Sequence, residues 1–122
     1  MNYEFAAEAK GTYLHTIGSG THSAENIRKF LADTHRLVLE QQWRSVLLEL
    51  RFVGPSLDLG TIYGILVENR ERASILDRIA YVDTNLQHLP ERTEFAELAA
   101  AKLGFKGRVF RSVAEAQRWL ES

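Results

Sequence analysis

The 122-residue sequence has no cysteine, two prolines, one methionine and no excess of either charge. Without cysteine there is no disulfide framework, no thiolate metal site and no cysteine nucleophile, and the absence fits a cytoplasmic protein. Fifteen Lys and Arg stand against sixteen Asp and Glu, so no bulk charge calls for nucleic acid or a strongly anionic surface. No window approaches the roughly 18 apolar residues of a spanning helix, and the opening "MNYEFAAEAKG" lacks the sustained apolar core of a signal peptide. The four histidines His15, His22, His35 and His88 have none of the spacings that put two zinc ligands on one helix face. A G-x-S-x-G nucleophile elbow is missing as well. No metal, no cofactor and no enzymatic activity are expected.

What is present is ordinary globular material, 45% apolar and 25% charged, enough for one domain over 1–122 that closes a core without cross-links. "YEFAAEA" and "TYLHTIG", separated by Lys10 and Gly11, predict two strands of a hairpin. From Ser23 the period changes: Ile27, Phe30, Leu31, Thr34 and Val38 form one stripe of an amphipathic helix ending near Gln42, with Ser23 or Thr21 as N-cap. "SVLLELRFV" is a nearly continuous apolar run suited to a central strand covered on both faces. A second helix is expected from Asp58, its N-cap, to about Leu76, on the spacing of Leu59, Ile62, Tyr63, Leu66 and Ala73. "RIAYVDT" predicts a strand, Pro90 to Gly104 a helix, "RVFRS" a short strand, and the capping box Ser112-Val-Ala-Glu115 a last helix. The order β-β-α-β-α-β-α-β-α implies an α/β layered domain, mostly parallel with an antiparallel N-terminal edge.

Four features invite chemistry. "GSGTHS", Gly18 to Ser23, follows a strand and precedes a helix, but the third glycine of a dinucleotide loop is replaced by Ser23, and Arg51 and Phe52 stand where a ribose-binding acid would be. It is read as a flexible loop and N-cap. Glu49, on the same strand face as Leu47 and Arg51, suits a local ion pair or a solvated sheet edge better than a general base. Arg70, Arg72, Arg78 and Arg92 alternate with acids, the pattern of a solvated helical face rather than a nucleic-acid patch. The fourth, "RFVGPSLDLGT" from Arg51 to Thr61, joins the central strand to a helix through hydroxyls and glycines.

The middle "SVLLELRFVGPSLDLGTIYGIL", the strand "DRIAYVDTN" and the ending "GRVFRSVAEAQRWLES" resemble the SpoIIAA-like branch of the STAS superfamily. These are bacterial single-domain proteins related to anti-anti-sigma factors and compared in shape with lipid-carrying CRAL-TRIO (Sec14-like) domains. The resemblance covers nearly the whole chain and implies a STAS-like fold. In the anti-anti-sigma relatives an Asp-Ser-Ser/Thr-Gly motif after the central strand carries the phosphoacceptor. Aligning Asp58 with that Asp puts Leu59 and Gly60 at the hydroxyl positions, so the motif is degenerate, with Ser56 and Thr61 the nearby hydroxyls.

The resemblance therefore implies a non-enzymatic ligand or partner module. An apolar pocket is expected under the helix starting at Asp58, with Phe52, Leu59, Ile62, Tyr63, Leu66 and Tyr81 as pocket or lid residues, and Gly60 and Gly64 easing hinge motion or close packing. The expected partner is a small lipophilic molecule or, peripherally, a membrane surface. The alternative is a regulatory protein of a partner-switching system.

Overall fold

The computed structural model describes residues 2–83, 85, 88 and 90–122. Two strands, β1 (Tyr3–Ala9) and β2 (Leu14–Thr21), form the antiparallel hairpin, and α1 (Ala24–Gln41) follows. Then come β3 (Ser45–Val53), α2 (Leu59–Glu68), the short α3 (Arg70–Ala73), β4 (Arg78–Asp83), α4 (Pro90–Lys102), β5 (Gly107–Phe110) and α5 (Val113–Leu120). The five strands form one sheet in the order β1-β2-β3-β4-β5, parallel from β2 onward. The expected succession of strands and helices, including the antiparallel edge and a central β3, is the observed one.

That strand order decides where the helices go. Each parallel step moves one place in the same direction, and right-handed crossovers then put α1, α2 and α4 on one face of the sheet. Val46, Leu48, Leu50 and Phe52 of β3 meet Ile27, Phe30 and Val38 of α1 and Ile65 of α2 in the larger core on that face. Alternate residues point the other way, where Leu47, Ala80 and Val82 pack with Tyr13 under Ala116 and Leu120 of α5. Among the described residues α5 alone covers that second face, over β3, β4 and β5. Glu49 also points there; it is buried and accepts from His15 Nε2 at 2.8 Å and Arg51 Nε at 2.6 Å.

The helix starts are those the sequence signals. Ser23 accepts from the Asn26 amide at 3.1 Å, Asp58 from the Thr61 amide at 2.8 Å and Ser112 from the Glu115 amide at 3.2 Å, each satisfying a donor left free by the first helical turn.

Several local expectations need correction. The stretch "GSGTHS" is not a loop over its first four residues: Gly18 to Thr21 belong to β2, pairing with β1 from Tyr3 to Phe5 and with β3 up to Val53. Its glycines are there for packing. A Cβ on Gly18 would lie 2.7 Å from Phe30 Cδ1 and 2.8 Å from Phe52 Cζ, and Gly20 has φ +128° with the Asn2 carbonyl against it. The helix expected to reach Leu76 ends at Glu68. There Asn69 turns its side chain back and donates from Nδ2 to the Ile65 carbonyl at 2.8 Å, a local bond that competes with helix continuation. Arg78 is not on a helix: it opens β4 with its guanidinium over the Trp119 ring, donating to the Trp119 carbonyl. The last residue of "RIAYVDT", Thr84, lies outside the described residues.

Candidate functional site

Beneath α2, between it and the sheet, lies a cavity of about 220 Å³. Leu48 and Leu50 of β3 form its floor, Ile62, Ile65 and Leu66 of α2 its outer wall, and Leu31 and Val38 of α1 and Ala96 and Ala100 of α4 its sides. The wall exists because positions 62, 65 and 66 share the inward face of one helix at the spacing that brings side chains together. Arg28 of α1 donates to both carboxylate oxygens of Glu68, at 2.9 and 3.1 Å, and so ties the far end of α2 to α1.

The structure divides the six expected pocket or lid residues. Ile62, Leu66 and Tyr81 line the cavity. Leu59 and Tyr63 do not; they are 42% and 45% exposed, and with Val67 they form a stripe at every fourth residue along the outside of α2. Phe52 is buried, but its ring lies against Phe30, at 5.9 Å between centroids, and Tyr3, at 6.5 Å. The reason is register: α2 turns one face to the sheet, so a helix apolar on two sides leaves one in solvent. Close packing at Gly64 is also absent, since a Cβ there would have nothing within 4 Å.

In the degenerate switch region, Thr61 is engaged in the helix cap. Its amide and its hydroxyl both donate to Asp58, at 2.8 and 3.1 Å, and these bonds hold the Asp58 carboxyl below its ordinary pKa. Ser56 lines the cavity.

At the carboxyl edge of the sheet the cavity meets a group of polar residues that sequence spacing did not bring together. His22 follows β2, Asp83 ends β4, and His88 and Arg92 flank the start of α4; all four line the cavity. His88 Nδ1 donates to Asp83 Oδ2, and the Asn85 amide donates to Asp83 Oδ1 at 3.0 Å. His22 Nδ1 donates to the Pro55 carbonyl at 2.8 Å, and the His22 and His88 rings lie 4.2 Å apart. Burial holds the His22 imidazole below its ordinary pKa, with the Pro55 bond opposing and the neighbouring His88 adding to the effect. Burial and the nearby Asp83 carboxylate push the Tyr81 phenol up. Among the described residues no group of three or more His, Asp or Glu side chains is arranged to hold a metal ion. None of their helices is long and apolar enough to cross a membrane.

Parallel α/β sheets present ligand crevices at the carboxyl ends of their strands, and the polar end of this cavity lies there. The only sequence signal for it was the placement of His22 and Asp83 at strand ends. The sheet order, the antiparallel first strand and the three-helix face define an α/β fold of the SpoIIAA-like type. In particular, the chain is similar to the crystal structure of an uncharacterised protein from the DUF3478 family with a SpoIIAA-like fold, from Shewanella loihica PV-4. The TM-score is 0.58, over 98% of this chain and 96% of that one, at 18% sequence identity. No protein-family model and no curated protein matches the chain.

Proposed function

We propose that this protein is a non-enzymatic binding domain that takes a small lipophilic ligand into the cavity beneath α2. The observation that carries the reading is the cavity itself: about 220 Å³, walled by leucine and isoleucine from three elements, with His22, Asp83, His88 and Arg92 convergent at the carboxyl edge. Ligand sites have this character, mostly apolar with a few convergent polar groups. For scale, a cavity of about 150 Å³ holds benzene, so this one suits a single ring with a short side chain or a short aliphatic chain. The amide and hydroxyl of Thr61 are bonded to Asp58, which supports a capped start to α2 in preference to a phosphoacceptor.

Native mass spectrometry of freshly purified protein tests the reading. A retained adduct of small-molecule mass is expected, and Leu66→Trp, which projects a large ring into the cavity, should abolish it while the fold is kept. An adduct retained unchanged by the filled variant would refute the site.

A second reading, a surface that docks a regulatory protein, is favoured by the exposed stripe of Leu59, Tyr63 and Val67. It separates cleanly from the first, because Tyr63→Glu should disrupt a partner contact and leave adduct retention intact. Loss of the adduct in that variant would place Tyr63 in the ligand site after all.

A further inference from the structure

The charges lining the cavity do not balance. Arg72, Arg92 and Arg108 line it together with three histidines, against only two acids, Asp83 and Glu97. Both acids are engaged by the protein: Asp83 accepts from His88 and the Asn85 amide, and Glu97 accepts from the Val109 amide at 2.9 Å. Arg108 is stacked over Trp119.

The remaining two guanidiniums differ. Arg72 is exposed and donates to Asn69 Oδ1 at 3.2 Å, and its field already helps to hold the Glu68 carboxyl down. Around it the polar side chains are bonded to protein: Thr34 donates to Thr16 and Asn69 to the Ile65 carbonyl. Arg92 is half-buried, and its one described hydrogen bond, to the neutral carbonyl of Leu57, is long at 3.3 Å. Among the described residues it has no carboxylate within ion-pairing distance. The Asp58 carboxylate, bonded to Thr61, feels the Arg92 field without an ion pair to it, and a half-buried guanidinium without a contacting anion bears part of its desolvation uncompensated.

One further polar group in the same lining, the Tyr81 hydroxyl, has no hydrogen bond among the described residues. His22 is already bonded through Nδ1 to the Pro55 carbonyl, and its other ring nitrogen is an acceptor. Unmet polar atoms around an apolar chamber are what a bound polar group would satisfy.

We infer that the ligand is an amphipathic acid: its carboxylate is held by Arg92 at the carboxyl edge of the sheet, with the Tyr81 hydroxyl as a hydrogen-bond donor, and its apolar body lies against Leu48, Leu50 and Ile65. This rests on the reading of the cavity as a ligand site and narrows it to a chemical class. A guanidinium meets a carboxylate with two parallel hydrogen bonds, which fixes the head while the apolar body tolerates variation.

Calorimetric titration with octanoate and with 1-octanol tests the inference, since the two share a chain and differ in the head. Octanoate should bind about tenfold more tightly, the size of one charge-assisted hydrogen bond. Arg92→Gln should remove that advantage and leave octanol binding unchanged, and Tyr81→Phe should weaken octanoate by a smaller factor. Arg92→Lys, which keeps the charge, should retain part of the preference and covers the case in which the glutamine variant folds poorly. Equal or tighter binding of octanol would overturn the acid head and leave the pocket standing. Loss of octanoate binding in Arg72→Gln but not in Arg92→Gln would overturn the placement. Failure of both probes, with no adduct on the purified protein, would overturn the ligand site together with the inference.

Discussion

Gly18→Ala adds one methyl group where two aromatic rings already touch the backbone. The new Cβ would sit 2.7 and 2.8 Å from Phe30 Cδ1 and Cγ and 2.8 Å from Phe52 Cζ, closer than carbon atoms approach without displacement. Phe30 is fully buried and Phe52 is 2% exposed, so neither ring has a free direction in which to retreat. Overpacking of a tight core costs about 1–3 kcal/mol, and a methyl squeezed between two rings belongs toward the top of that range. Replacing glycine also narrows the unfolded ensemble, which returns about 0.4–1 kcal/mol. The net expectation is a loss of about 2 kcal/mol, read as a lower urea midpoint with an unchanged slope. For a chain of this length each kcal/mol moves the melting temperature by roughly 4 °C, so Tm should fall by about 8 °C. Phe52→Leu in the same background removes one of the two clashes, and the double variant should be more stable than the sum of the single losses by at least about 0.5 kcal/mol. If the single variant is neutral, or if the two losses simply add, the rings are not the reason for the glycine.

Gly64→Ala should act in the opposite sense: it lies inside α2 with open space at its Cβ position, so thermal unfolding should show a gain of about 1 kcal/mol. Glu49→Gln weakens the buried contacts to His15 and Arg51 and should cost about 1.5–3 kcal/mol in a urea titration, the scale of hydrogen bonds to a charged group; no change would mean that solvent already substitutes for them. Burial holds the imidazoles of His22 and His35 below their ordinary pKa, helped at His22 by His88 and at His35 by Arg72. On acidification the unfolded chain therefore takes up these two protons first. Their contribution to stability is complete above about pH 6.5 and is lost as pH falls toward the depressed values. Urea midpoints between pH 7.5 and 5 should drop less in the His22→Gln, His35→Gln double variant, and an equal drop would show that other groups set the acid limb.

The layered α/β architecture was legible because it is written in local periods. "SVLLELRFV" suited a central strand covered on both faces, and Ser23, Asp58 and Ser112 announced three helix starts that the hydrogen bonds bear out. Errors arose where a residue's role depends on something distant in sequence. Gly18 and Gly20 looked like a loop because glycine is permissive, whereas rings from α1 and β3 and the backbone at Asn2 require them. Asn69 stopped α2 through a side-chain bond that helical spacing could not reveal. The apolar wall of the cavity was half visible: Ile62 and Leu66 were named, but which side of α2 faces the sheet depends on the rotation of the helix, and so Leu59 and Tyr63 fell on the wrong side. Of the polar end little was visible beyond His22 and Asp83 at strand ends, because His22 belongs to the β2–α1 connection and Asp83, His88 and Arg92 to the stretch from the end of β4 to the start of α4, which meet only when β2, β3 and β4 lie side by side.

The order of strands in space is also their order along the chain. Each strand after the first finds its partner among the residues that immediately precede it, and no strand has to be inserted between two others already paired. Loop closure is therefore paid for in short instalments, which favours fast folding among sheets of this size. The parallel edge of the sheet, β5, is only four residues long. A short final strand leaves little unpaired backbone for another chain to template upon.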